Sequence, residues 1–158
     1  MAEPPTLGFL CEIRIETGAV GFKLGRTPKG LRRIGAIKAG SVKGPAINGS
    51  LFAGGGDWAM VDDDGTIHMD MRCMIETDDG EGIYVQQGGR VVAPPGPTRD
   101  AVMDRARWGE LDRCDYYFRT IAQFEAAGPR YDWLNRIVAV GIGQHREGGV
   151  TYRLFEVE

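Results

Sequence analysis

Histidine and cysteine are scarce in this chain, and their scarcity removes whole classes of chemistry. His68 and His145 are the only histidines among 158 residues, and Cys11, Cys73 and Cys114 are the only cysteines. No CxxC pair and no HExxH segment occurs, so a zinc site lacks its usual ligands. An odd number of widely spaced cysteines offers no disulfide framework and points to a reducing compartment. There is no GxSxG serine, and His68 is the only candidate base in the central segment, which argues against a hydrolase triad.

Other absences narrow the field further. No apolar run approaches the roughly 18 residues needed to span a bilayer. The opening "MAEPPTLGF" has neither a basic n-region nor an apolar h-region, so a cytoplasmic location is expected. Nineteen basic residues against 22 acidic ones leave a formal charge of −3. That balance gives no surplus for neutralising phosphates, so neither nucleic acid nor an anionic membrane is an expected partner. "GGGDW" at Gly54 to Trp58 lacks the Lys-Ser/Thr of a P-loop, and "DDDG" at Asp62 to Gly65 lacks the closing ligand of a twelve-residue calcium loop. No metal and no cofactor are expected.

Glycine, in contrast, is abundant at 24 residues, and it falls beside acids between short apolar runs, where hairpins need positive φ. Runs at Trp58 to Asp62, Thr66 to Thr77, Glu81 to Gln87 and Arg90 to Ala93 are punctuated by Asp64-Gly65, Asp79-Gly80 and Gly88-Gly89. "WLNRIVAVGIG" and "VTYRLFEVE" flank "QHREGG" as a further hairpin, and Gly8 to Glu16 alternates as a half-buried strand. Pro94 to Pro97 ends the meander, and the segment near 98–112 reads as a short helix or flap with Thr98 as a candidate N-cap. No repeat or linker divides the chain, so residues 1–158 are expected to form one all-β domain. A single antiparallel β-barrel of about eight to ten strands removes the edges such hairpins would expose.

One strand carries the functional argument. In "MDMRCMIETDDG", alternation puts Met69, Met71, Cys73 and Ile75 on one face and Asp70, Arg72, Met74 and Glu76 on the other. The ionic face is either a solvated row of ion pairs or the wall of a polar cavity. Tyr84 and Gln86 on the next strand, and Tyr117 and Arg119 in "DYYFRT", add polar side chains to the second reading, since such a cluster is costly to bury without mutual or ligand partners. Under that reading the methionine face needs a cover, and a homo-oligomer, dimer or higher, is expected. If instead the methionine face fills the barrel, the ionic row lies outside.

"GGGDW", "MDMRCMIETDDGEGIYVQQGGR", "YYFRT" with "FE", and "YDWLN" together resemble domain-of-unknown-function family 3237, also catalogued as uncharacterised protein family 0311, over about Leu10 to Val157. The resemblance implies a compact, often oligomeric barrel with a lipocalin-like cup for an interior, similar in outline to allene oxide cyclase and dirigent barrels. Its motif positions fall on Asp57, Trp58, Asp70, Arg72, Tyr84, Tyr117, Arg119, Tyr131, Trp133 and Asn135, with Glu76 added from the strand pattern. These suggest a cofactor-independent isomerase, cyclase or lyase acting on a small, partly apolar, oxygenated metabolite. Trp58 and Trp133 would pack on the substrate, Arg72 and Arg119 would hold a carboxylate or enolate oxygen, Asp57 or Asp70 would serve as base, and Tyr84 or Tyr117 as proton donor. A non-catalytic ligand-binding barrel would use the same cavity. A scaffold for protein partners would instead expose Trp108 and the flap.

Overall fold

The computed structural model describes residues 3–18 and 22–158. In chain order the strands are β1 (Leu7–Thr17), β2 (Phe22–Thr27), β3 (Gly30–Lys43), β4 (Gly49–Leu51), β5 (Gly56–Asp57), β6 (Met60–Val61), β7 (Ile67–Thr77), β8 (Gly82–Val92), β9 (Tyr117–Ala126), β10 (Ala139–Arg146) and β11 (Gly149–Val157). A single helix, α1 (Pro97–Met103), and a 3-10 turn over Arg105–Glu110 lie between β8 and β9. Strands run antiparallel in the order β1, β11, β10, β9, β8, β7, with β4, β5 and β6 succeeding one another between β7 and β3. β3 then pairs with β1, from Glu12↔Lys43 to Thr17↔Ile37, and this last ladder closes an eight-stave barrel.

Local chemistry explains most of the turns. Gly65, Gly80 and Gly148 occupy left-handed positions at φ 85, 86 and 76, where a Cβ would strain the β6–β7, β7–β8 and β10–β11 connections. Gly88-Gly89, in contrast, is not a turn: β8 runs straight through both residues. A Cβ on Gly89 would sit 2.5 Å from the Arg119 carbonyl oxygen, so this glycine admits a close neighbouring strand. The last hairpin also begins later than the "WLNRIVAVGIG" pattern suggests, at Ala139. Asp132–Arg136 forms a 3-10 turn because the Asn135 side chain brackets Ala126, accepting from its N–H and donating to its carbonyl at 2.9 Å each. Thr98 is not the N-cap either; Gly96 holds that position with Pro97 at the first helical residue.

The barrel's interior is apolar. Ile67, Met69, Met71, Cys73 and Ile75 of β7 all point inward and are buried, while Asp70 and Arg72 are half-buried on the outer wall and Glu76 is exposed. The expectation that the ionic face looks into the hollow is therefore reversed. Register decides the outcome. Turning Asp70 and Arg72 inward would strip two charges of water and expose all five of these side chains, each isoleucine and methionine among them worth about 1.5–3 kcal/mol when buried. A neighbouring subunit is consequently not needed to cover the methionine face. β1 departs from strict alternation at a bulge between Phe9 and Cys11, which buries Leu10 and Cys11 together and turns Phe9 outward.

Candidate functional site

Beneath α1 and the 3-10 turn that follows it, the barrel holds a cavity of about 480 Å³. Its walls are mainly apolar, with Ile15, Ile37, Ile67, Met69, Met71 and Phe118 contributing from four strands. Val102, Met103 and Trp108 close it from the lid. Four polar side chains interrupt this lining: Asp57, Tyr152, His145 and Arg33, with Asp104 and Arg105 at the lid margin.

Asp57 reaches the interior because of the glycines before it. β5 is two residues long and squeezed between β3 and β7. A Cβ on Gly55 would lie 2.5 Å from the Arg72 carbonyl oxygen, and one on Gly56 would lie 2.9 Å from that of Gly35. Asp57 then opposes Met71 and shares its inward face. Its Oδ1 accepts the Asp70 backbone N–H at 2.9 Å. Burial pushes the carboxyl pKa up to about 6, against that hydrogen bond, with Asp70 adding to the rise and Arg32 opposing it.

Tyr152 lies opposite Gly143 on one side and Ile13 on the other, and is almost wholly buried. Burial, reinforced by the nearby Asp57 charge, holds its phenol protonated well above the ordinary tyrosine range. His145 is stacked among aromatic rings, with centroids 4.4 Å from Trp108, 5.0 Å from Phe118 and 5.4 Å from Tyr116. Its backbone N–H donates to Tyr116 Oη at 2.8 Å, and its Nδ1 lies 3.1 Å from the same oxygen. In the tautomer that accepts the Tyr116 hydroxyl at Nδ1, the imidazole proton resides on Nε2. Burial first, and the Arg33 charge second, depress the His145 pKa to about 3, so the ring is neutral. The cavity thus combines a carboxyl that titrates near neutrality with two neutral donors in a low-dielectric setting, an arrangement suited to moving a proton and stabilising the oxyanion that results.

Of the residues singled out from sequence, only Asp57 lines this cavity. Asp70 and Arg72 form an ion pair at 3.1 Å on the outer wall, with Arg72 5.8 Å above the Trp58 ring. Tyr84 is half-buried on the outer side of β8. Tyr117 and Arg119 lie outside β9, the guanidinium 5.2 Å over the phenol ring, and border a separate open groove. Tyr131 is buried with its hydroxyl donating to Asp79 at 2.9 Å, Asn135 binds Ala126, and Trp133 packs against the core, so "YDWLN" fastens a loop to β9 and to the β7–β8 turn. Trp108 is no exposed docking patch, because its indole N–H donates to the Val102 carbonyl at 3.0 Å and its ring faces His145.

Tyr152, His145 and Arg33 escaped the sequence reading. Tyr152 alternates with Val150 and Leu154, and His145 with Gly143 and Gly141, so period-two patterning would have turned both inward. Arg33 sits on β3, which no strand assignment covered. Among the described residues, no group of three or more His, Cys, Asp or Glu side chains is placed to hold a metal ion, and no helix is long and apolar enough to cross a membrane.

Comparison with known proteins agrees on the architecture. Residues 5–157 match the family model described as protein of unknown function (DUF3237). A UPF0311 protein from Rhodopseudomonas palustris is 33% identical over 134 residues, covering 84% of each chain. The crystal structure of a β-barrel-like protein from Acinetobacter baumannii superposes with a TM-score of 0.85 at 32% identity, over 100% of this chain and 99% of that one. An enzyme from Penicillium herquei matches with a TM-score of 0.73 at 21% identity over 100% and 98%, a likeness of fold alone.

Proposed function

Starting from the fact that the chain belongs to the DUF3237 family, we propose that it is an isomerase, cyclase or lyase that transfers a proton within a small, partly apolar, oxygenated molecule enclosed by the barrel. The observation that carries this reading is Asp57, a carboxyl facing an apolar cavity of about 480 Å³ with its pKa raised to about 6. A base poised near working pH combines a large ionised fraction with useful basicity. Asp57 takes a proton from carbon beside a carbonyl, the electron pair moves onto the carbonyl oxygen, and Tyr152 or the His145 Nε2–H donates a hydrogen bond to the resulting enolate. Return of the proton at another atom gives isomerisation. Departure of a leaving group from the β-carbon as the enolate electrons collapse gives elimination, with Asp57 returning its proton to the departing group, and attack of the enolate oxygen on a carbon of the same molecule that expels its leaving group gives cyclisation. The apolar walls hold the molecule in a reactive conformer.

Deuterium wash-in tests the proposal without knowledge of the natural substrate. In D₂O, 2-tetralone is expected to exchange its α-hydrogens faster with protein than without, the rate rising as pH passes through about 6. Asp57→Asn should lower the protein-dependent rate by about 10² or more. If 2-tetralone binds but exchange is the same for wild type and Asp57→Asn, the barrel is a carrier and not an enzyme.

A further inference from the structure

Arg33 is the one cavity side chain whose chemistry the proton-transfer scheme leaves unused. It projects from β3 with the parity of Ile37, into the cavity beside the lid. Its guanidinium carries five donors, yet the side-chain contact it makes among the described residues is Nη1 to the Met103 sulfur at 3.6 Å, a weak acceptor. None of the ion pairs among the described residues includes it, and the residues outside that description contain no acid. The nearest influential carboxylate, Asp104, is exposed and accepts the Ala106 N–H at 3.1 Å. The neighbouring cation is differently employed: Arg105 donates to the Thr17 and Gly18 carbonyls and so ties the lid to the end of β1.

A half-buried guanidinium without a carboxylate partner loses hydration and gains little in return. A ligand anion would supply what is missing, because a carboxylate accepts two parallel N–H bonds from the planar fork. The cavity then presents a cationic group where Arg33 meets Met103 of the lid, apolar walls, and the Asp57 carboxyl with the Tyr152 phenol. We propose that Arg33 is an anion subsite and that the molecule bound in the cavity is an organic carboxylate, its charged end at Arg33 and its apolar body directed toward Asp57. This inference rests on the cavity being the ligand site. It also gives Arg33 a second consequence: anion binding offsets the positive charge that helps keep His145 deprotonated.

A matched pair of probes tests it. Calorimetric titration at pH 7.5 compares 2-naphthoate with 2-naphthamide, which share shape and differ in charge. Wild type should bind the carboxylate at least about tenfold more tightly, the scale of one charge-assisted pair. Arg33→Met should bring the ratio near one and Arg33→Lys should leave part of it, whereas Arg72→Met on the outer wall should leave it intact. Equal affinities in wild type, or a preference that survives in Arg33→Met, overturn the anion subsite while leaving the cavity's role standing. Binding of neither probe overturns both.

Discussion

Asp57 and His145 are perturbed in opposite chemical senses by the same cause, exclusion of water from the barrel, and their linkage to stability is correspondingly opposite. Asp57 has its pKa raised from 3.8 to about 6, so the folded state holds a proton that the unfolded chain has lost, and stability falls as pH rises across that window. His145 has its pKa lowered from 6.5 to about 3, so the folded state lacks a proton that the unfolded chain holds, and stability rises with pH between those limits. Between about pH 4 and 6 the two slopes, each about 1.4 kcal/mol per pH unit, cancel. Asp57→Asn keeps an oxygen for the Asp70 N–H and removes one slope. Its stability by urea unfolding is expected to match wild type near pH 4 and to exceed it by about 2–3 kcal/mol above pH 6. His145→Gln should show the converse, a stability that declines from pH 4 to 6. A residue that costs the fold its stability at neutral pH is most simply understood as one retained for function.

At the scale of elements, the glycine-dense strand β5 is where fold and site meet. Substituting Gly55 by Ala drives a methyl group to 2.5 Å from the Arg72 carbonyl oxygen, so β5 must move away from β7 and carry Asp57 with it. Gly55→Ala is therefore expected to cost about 1–3 kcal/mol and to abolish 2-tetralone exchange, read by urea unfolding and by NMR. The three successive glycines before Asp57 suit a sharp barrel corner in sequence terms, and the structure uses two of them, Gly55 and Gly56, for close approach to the Arg72 and Gly35 carbonyls. Gly88-Gly89 carries the same signal and was read as a turn, since glycine alone does not distinguish positive φ from a tight neighbour. β3 was missed for a physical reason as well: "GLRRIGAIKAGSVK" serves β1, β2, β4, β5 and β6 in succession, and its burial follows those partners instead of one clean alternation.

For the whole molecule, local patterning determined that a barrel forms but not which face it encloses. Hairpin turns and alternation are properties of a few residues. Inside and outside are properties of closure, decided where β3 meets β1 across a ladder running from Glu12↔Lys43 to Thr17↔Ile37, far beyond any local pattern. The ionic row on β7 was thus correctly grouped and wrongly placed, while Tyr152 and His145 were concealed within patterns that read as ordinary core. One measurement separates the inner cavity from the outer wall as the seat of binding. A ligand that binds the folded barrel and not the unfolded chain stabilises the fold by mass action, about 2.7 kcal/mol at a hundredfold excess over Kd. For a chain of this length that corresponds to a rise in Tm of roughly 5–10 °C. With 2-naphthoate at that excess, Arg72→Met and Arg119→Ala should retain the full rise, because their side chains sit on the exterior near Trp58 and Tyr117. Arg33→Met, at the same ligand concentration, should lose about half of it, since tenfold weaker binding leaves about 1.4 kcal/mol. The reverse pattern, with Arg119→Ala abolishing the shift and Arg33→Met preserving it, would move the binding site to the groove along β9 and take the catalytic reading of Asp57 with it.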